Sequence, residues 1–183
     1  MTSLDILNRT FVKNDRQAFD LVYDHLLSQG EKSMIYDNDC AYRAKDYDEK
    51  SESSESWYNG KSCAVGCLIK DAYYDENIEL TPVDSDHVLD IVRDSHPEWG
   101  IDSDSVVMLE LLQKIHDSIW SDSWEIMLNA AKELLFEENI IVKLRNDEYK
   151  KLYSNSVHCR DMASFIYEEM KIKAQNDPGE ESV

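Results

Sequence analysis

The stretch "DSVVMLELLQKIHDSI", residues 104–119, decides the fold class. Its apolar residues recur every three or four positions, which is the spacing of one face of an α-helix. Residues 123–137 repeat this pattern, and residues 15–29 show it again, with Gly30 standing where a left-handed C-terminal cap belongs. Together these segments predict a mainly α fold. The apolar positions of the first two segments are Met108, Leu111, Leu112, Ile115, Ile119, Trp124, Met127, Ala131, Leu134 and Leu135.

Shorter elements are predicted between these helices. An Asp-Asn-Asp turn between two short apolar runs indicates at most a small β-hairpin near residues 33–43. Ser62 stands where it can cap a short helix through "CAVGCLI", residues 63–69. The segment "SDHVLDIVRD", residues 85–94, predicts a further helix, which Pro97 would end.

The chain is predicted to form one domain. We expect a single-domain helical bundle over residues 1–175, and a disordered tail over residues 176–183. The low-complexity segment 44–56 predicts an exposed acidic loop. Residues 156–173 have the pattern of a last helix, whereas residues 140–144 suit either a short strand or a helical continuation.

The composition constrains the class of partner. Hydrophobic residues make up 42% of the 183 residues, so the chain can form a core, but 38 acids against 19 bases give a net charge of −19. This charge opposes direct binding of nucleic acid and of anionic membrane surfaces, and it favours a protein with a basic surface. It also exceeds the magnitude of about 2–8 that is usual for a small soluble domain.

The sequence has no segment with the character of a membrane anchor or secretory signal. It contains no run of 18 apolar residues, and its first residues lack a continuous apolar segment. We therefore expect a cytoplasmic protein, with its four cysteines as reduced thiols.

The acids are concentrated in one region. Residues 71–104 hold 11 acids and a single base, Arg93. Carboxylates spread over a rigid helical surface can imitate the charge of nucleic acid, although a solvated face is the ordinary role of such a region. The predicted binding residues are Asp71, Asp75, Glu76, Glu79, Asp84, Asp86, Asp90 and Asp94, together with Trp57, Tyr58 and Arg43.

Cys63 is the candidate nucleophile if the protein is an enzyme. A thiol in the first turn of a helix would be activated by the helix dipole, and His116 could serve as its base. Adjacent helical residues point about 100° apart, so Asp117 is not expected to orient His116. Burial of Cys63 and Cys67 on the packed side of a short helix explains the same residues and is the interpretation we favour.

Metal binding is a further alternative. Cys40, Cys63 and Cys67, with one histidine, could form a Cys3His zinc site. The C-x3-C spacing differs from the usual C-x2-C, so we expect no metal and no cofactor. The histidines available for such a site are His87, His96, His116 and His158.

A small-ligand pocket near Cys40, Arg43 and Cys63 is the remaining alternative. Arg43 could pair there with a phosphate or carboxylate group of the ligand. A salt bridge from Arg43 to one of the many acids is the ordinary expectation.

Several motifs resemble those of a group of small uncharacterised phage and bacterial proteins. These proteins often have the pattern C-x-YR…G…CA-x-GCLI…LQ…HD. The resemblance covers about residues 19–136; it implies a phage or mobile-element origin, and that these segments pack together, but no catalytic role. The acidic 44–56 loop is longer here than the short connection that these proteins usually have between the YR and CA-x-GC segments. The helix predicted beyond residue 140 lies outside the resemblance. The motifs that carry it are "HLLSQGEKS" (25–33), "CAYR" (40–43), "GKSCAVGCLI" (60–69), "LLQKIHD" (111–117) and Trp124.

The sequence therefore predicts a non-enzymatic, strongly acidic binding protein. Its expected role is that of a phage-type accessory or inhibitor protein that engages a host protein. The first alternative is a cysteine-dependent hydrolase or transferase using Cys63 and His116, and the second is the small-ligand protein. The oligomeric state stays open.

Overall fold

The computed structural model describes residues 7–35, 39–47, 56–118 and 121–136. Long α-helices dominate this part of the chain, and the mainly α prediction is confirmed. The helices are α1 (Asp15–Gln29), α2 (Asp86–Ser95), α3 (Ser103–Ser118) and α4 (Trp124–Phe136).

The helix ends follow from capping side chains. The Asn14 side chain accepts a hydrogen bond from the Gln17 N–H at 3.0 Å, which begins α1. Gly30 has a φ of 69° and donates its N–H to the Leu26 carbonyl, so it is the predicted left-handed cap. Ser85 begins α2 in the same way, by accepting from the Val88 N–H.

The core lies where α1, α3 and α4 pack against one another. Phe19 of α1, Leu112 of α3 and Trp124 of α4 are completely buried there. Burying a side chain of this size stabilises a fold by about 1.5–3 kcal/mol. The helical spacing that is visible in the sequence is therefore the spacing of this shared core.

Short antiparallel strands connect α1 to the cysteine segment. Strands β1 (Met34–Ile35) and β2 (Asp39–Cys40) pair as the small hairpin that was predicted near residues 33–43. Strands β3 (Arg43–Tyr47) and β4 (Ser56–Ser62) form a second antiparallel pair.

The second pair corrects the expectation of a loop over residues 44–56. Both ends of that range are strand, and residues 48–55 lie outside the described part. Strand pairing is made by backbone groups, which are present whatever the side chains are. For this reason the polar composition of the segment did not reveal the strands.

The cysteine segment also differs from its prediction. Ser62 is the last residue of β4 rather than a helix cap, and the chain then turns into a single 3₁₀ turn, Gly66–Leu68. The Cys63 sulfur accepts a hydrogen bond from the Gly66 N–H at 3.3 Å, which closes the turn locally. The turn packs closely against Tyr42, whose backbone a Cβ atom at Gly66 would meet.

The predictions for residues 140–144, 156–173 and 176–183, and the domain limit at residue 175, lie outside the described part. In the part that is described, none of the helices combines the length and apolar character that crossing a membrane requires.

Candidate functional site

The motifs near Cys40, Cys63 and His116 meet around one cavity. Strand β2 brings Cys40 to the turn that carries Cys63 and to the last two turns of α3, which carry Gln113 and Asp117. The cavity has a volume of about 230 Å³. Segments that are far apart in the sequence thus form a single site.

Part of the cavity lining is apolar. Leu80, Pro82 and Val83 form it, together with Tyr42 and Thr81. Leu80 has a φ of 65° and is the one non-glycine residue with a positive φ among the described residues. Its side chain is 63% exposed. Leucine rarely adopts this conformation, so the fold holds an apolar side chain at the cavity against a local cost.

Gln113 organises the polar wall. Its Oε1 accepts the Val65 N–H at 3.3 Å, so its Nε2 must face the other way. Nε2 donates to the Cys40 sulfur at 3.1 Å and to Asp117 Oδ1 at 2.9 Å. Both hydrogens of the amide are therefore used, and Gln113 fixes the thiol and the carboxylate relative to each other.

His116 is buried behind this wall. Its Nε2 accepts a hydrogen bond from the Ser33 N–H at 3.1 Å, and its ring stacks on Trp124 at 5.3 Å between centroids. Its Nδ1 lies 2.8 Å from Asp117 Oδ1 and 3.4 Å from the Cys40 sulfur. Because a backbone N–H occupies Nε2, the neutral ring carries its proton on Nδ1 and donates it to Asp117.

The His116–Asp117 contact corrects the expectation from helix geometry. The angle of about 100° describes where adjacent Cα–Cβ bonds point. Both side chains can rotate beyond Cβ, and at the end of α3 they turn toward each other. Asp117 does orient His116.

The protonation states follow from these contacts. Burial raises the pKa of Asp117, but the hydrogen bonds with His116, Cys40 and Gln113 outweigh it, so the pKa lies below the ordinary value. The hydrogen bond with Cys63, together with burial, raises the pKa of the Cys40 thiol. The cavity therefore presents an ionised carboxylate beside a neutral thiol.

His116 is subject to opposing effects. Burial lowers the pKa of His116, and the hydrogen bonds with Asp117 and Cys40 raise it above the ordinary value. A second proton would, however, sit on Nε2 and face the Ser33 N–H, with the loss of that hydrogen bond. This loss opposes a second proton on Nε2, and in the neutral ring Nδ1 is the donor.

This tautomer decides what His116 can do chemically. A general base must accept a proton, and the only free lone pair of the neutral ring is already bonded to Ser33. His116 thus supports Asp117 and does not deprotonate Cys40 in this arrangement.

The same tautomer disfavours metal binding. The ligand atoms of Cys40, His116 and Asp117 lie within 4.8 Å of one another, a spacing suited to a metal ion. Ligation by Nδ1 would move the ring proton to Nε2, where metal-bound histidines need an acceptor. Ser33 offers a donor at that place, so the three residues do not fit a metal ion as they stand.

Cys63, the cysteine predicted as the nucleophile, is not the cysteine beside His116. Cys63 is buried, and its sulfur accepts from Gly66; no hydrogen bond joins it to His116 in the described structure. The thiol near His116 belongs to Cys40. Cys67 donates to the Ala64 carbonyl at 3.2 Å, and burial raises its pKa, so it packs in the core.

Of the remaining histidines that could have joined the cysteines, the two that the structure describes are not grouped with them. His87 is exposed and faces Asp75, and His96 is buried beside Trp99. His158 lies outside the described residues.

Arg43 does not line the cavity. Its Nη2 donates to the Ile69 carbonyl at 3.0 Å, its Nη1 pairs with Asp71 at 2.7 Å, and its guanidinium lies over the Tyr74 ring. The cavity described here therefore lacks the arginine that the small-ligand alternative assigned to it.

The eight acids of residues 71–104 that were predicted to bind a partner fall into two groups. In the first group, Asp71 pairs with Arg43, and Asp75 caps Asn77 and faces His87. Glu79 accepts the N–H groups of Tyr42 and Arg43 and the hydroxyl of Tyr74. Asp71, Asp75 and Glu79 therefore hold the fold together, while Glu76 beside them is exposed.

The second group projects into solvent. Asp84, Asp86, Asp90 and Asp94 are all exposed, and among them Asp90 has a cationic partner, Arg93, at 2.9 Å. The predicted contact residues Trp57 and Tyr58 lie on β4, where they pair with Asp46 and Lys45 of β3.

Sequence reasoning missed the roles of Gln113, Asp117 and Leu80. Gln113 and Asp117 are four residues apart on α3, a spacing at which glutamine and aspartate hydrogen bond, so that pair could have been found. Leu80 carries no signal in the sequence, because its positive φ is imposed by the surrounding turns. No protein-family model, curated protein or solved structure matches the chain.

Proposed function

We propose that this chain is a non-enzymatic, strongly acidic binding protein that engages a basic protein through the outward face of α2. The observation that carries the proposal is the row formed by Asp86, Asp90 and Asp94. These residues are four positions apart and all exposed, while Val88 and Val92 on the other face are completely buried. The buried face anchors the helix, so the row of carboxylates is rigid.

Part of the row is unfavourable for the helix, although Asp86 lies in the first turn, where the helix dipole favours an acid. Like charges at four-residue spacing destabilise a helix by about 0.2–0.5 kcal/mol per pair. Asp94 also lies in the last turn, where the negative end of the helix dipole disfavours an acid. Arg93 offsets part of this through Asp90. An arrangement that costs local stability supports a role in recognition.

The expected partner is a protein that normally binds nucleic acid. Side chains four residues apart are about 5–6 Å from one another, so α2 presents negative charges at short, regular intervals, as a phosphate backbone does. A net charge of −19 repels nucleic acid itself and attracts a basic groove. The most concrete role is that of a phage-type accessory or inhibitor protein that acts in the host cytoplasm.

The enzyme alternative has weaker support. In the described part of the chain no hydrogen bond joins Cys63 to a histidine, and the raised pKa of Cys40 opposes thiolate formation there. His116 is held as a donor by Ser33. These features favour binding over cysteine-dependent catalysis.

The proposal is tested by neutralising the row. The tagged protein is used to capture partners from a bacterial lysate, and the captured protein is then purified and bound to the variant D86N/D90N/D94N. We expect its affinity to fall at least about tenfold, because three charges at one contact surface are lost.

A matched control removes the same charge elsewhere. The variant D24N/E110Q/E125Q neutralises three exposed acids on α1, α3 and α4. It should weaken binding less than about threefold, since only the long-range attraction changes. Equal losses for the two variants would rule out the α2 face as the binding surface.

A further inference from the structure

We infer that the cavity between β2, the Leu80 segment and α3 binds a primary ammonium group on a short aliphatic chain, with Asp117 as its counter-ion. This site is separate from the α2 face, and the inference does not depend on the proposed partner. It differs from the small-ligand alternative drawn from the sequence, in which Arg43 would have bound an anion; Arg43 instead makes the salt bridge that was the ordinary expectation, with Asp71.

The charge of the cavity requires a cation. Asp117 is the one charged side chain among the described lining residues, and it is ionised. The hydrogen bonds from Gln113 and His116 both end on Oδ1, so neither of them occupies Oδ2. The side chain is 39% exposed, so a ligand can reach it.

The described basic side chains leave the carboxylate of Asp117 without an ion pair to lysine or arginine. The Lys32 ammonium donates to the backbone carbonyl of Asp117, not to its carboxylate. Arg43 is engaged with Asp71 and Ile69. The contact that Asp117 does make is a hydrogen bond from His116 Nδ1, and the Ser33 N–H at Nε2 opposes a second proton on that ring. A negative charge therefore faces the cavity.

The other wall suits an aliphatic chain. Leu80, Pro82 and Val83 supply apolar surface in the same cavity as Asp117. Leu80 is held in a left-handed conformation that leucine rarely adopts, with its side chain exposed at the cavity. A bound alkyl chain would cover this side chain, which explains why an exposed apolar residue stands in a strained conformation here.

The hydrogen-bond acceptors of the cavity suit an ammonium group. An ammonium has three N–H donors and no acceptor. Asp117 Oδ2 accepts the strongest of these hydrogen bonds, and the sulfurs of Cys40 and Cys63, which also line the cavity, are weak acceptors. The ammonium can come from a free alkylamine or from a lysine side chain of a partner.

The inference is tested by titrating the isotope-labelled wild-type protein and following backbone amide signals by NMR. Butylammonium should produce saturable shifts at Cys40, Gln113 and Asp117, with a dissociation constant in the range of about 1–10 mM. Butyrate and butanol have the same alkyl length without the positive charge and should not. Equal shifts with butyrate or butanol, or no saturable shift with any amine, would overturn the inference.

A lysine derivative blocked at both backbone ends distinguishes the two sources. Binding at least as tight as that of butylammonium points to a partner's lysine side chain, and tighter binding of butylammonium points to a free amine. Either result supports an ammonium site.

Two variants locate the site. Asp117→Asn should weaken butylammonium binding at least about tenfold, whereas Glu125→Gln, an exposed acid on α4, should leave it unchanged. Leu80→Gly removes the alkyl contact and relieves the strain, so it should weaken binding while the protein stays folded. Unchanged binding in both Asp117→Asn and Leu80→Gly would overturn the inference.

Discussion

Gly66→Ala is expected to lower the free energy of unfolding by about 3 kcal/mol or more. A Cβ atom at position 66 would lie 2.0 Å from the carbonyl oxygen of Tyr42 and 2.7 Å from its carbonyl carbon. Both are backbone atoms, so no side-chain rotation can relieve the contact. The 3₁₀ turn that begins at Gly66 can approach the β2–β3 connection only without a side chain.

The Tyr42 backbone has little freedom to move away. Its N–H donates to Glu79 at 2.8 Å, and its side-chain hydroxyl donates to the Thr81 carbonyl at 2.8 Å. A shift large enough to accommodate a methyl group would break these hydrogen bonds.

Urea unfolding followed by circular dichroism measures the effect of Gly66→Ala. Gly100→Ala is the matched control, since a Cβ atom there meets nothing within 4 Å. The control should change stability by less than about 1 kcal/mol. If the two variants are equally stable, the backbone of Gly66 does not lie as close to the Tyr42 carbonyl as described.

The second large effect is a loss of stability in mild acid caused by His96. This ring is 1% exposed, and its Nδ1 accepts the Val12 N–H. Burial, reinforced by the charge of Lys70, lowers the pKa of His96 from 6.5 to about 4. His96 is therefore protonated near pH 6.5 in the unfolded chain, but only near pH 4 in the folded chain.

The sign of the effect follows from this difference. Between those pH values the unfolded state binds more protons, so the free energy of unfolding falls as the pH falls. At about 1.4 kcal/mol per pH unit, the loss due to His96 is about 3 kcal/mol at most. The measurement is urea unfolding of the wild type at a series of pH values from 7 down to about 4.

His96→Asn keeps an acceptor near the position of Nδ1 and removes the titration. We expect it to be less stable than the wild type at pH 7, with a smaller loss between pH 6.5 and 4. His87→Asn is the control, because that ring is exposed. The pKa of His25 is also lowered by burial, so the difference between wild type and variant isolates the effect of His96. A pH dependence that is unchanged by His96→Asn would contradict the predicted shift.

The helices were predictable because each buries one face in a common core. The spacing of Met108, Leu112 and Ile115 identifies α3 without any tertiary information. The pairing of β3 with β4 was not predictable, since it depends on backbone hydrogen bonds within a polar, acidic segment.

The candidate site was predicted in part. The sequence pointed to Cys40, Cys63 and His116, but it paired His116 with Cys63, the cysteine it placed at a helix start. The hairpin of β1 and β2 instead carries Cys40 to His116, and Ser33 sets the tautomer of the ring. Contacts of this kind join residues more than 70 positions apart, and no local pattern encodes them.

The proposed binding role is tested most directly by the salt dependence of the complex with the captured partner. The dissociation constant is measured between about 50 mM and 500 mM sodium chloride, where the screening length falls from above to below about 10 Å. If the carboxylate row of α2 makes the contact, the affinity should fall at least about 100-fold over this range. A dissociation constant that does not change with salt would contradict binding through the acidic surface.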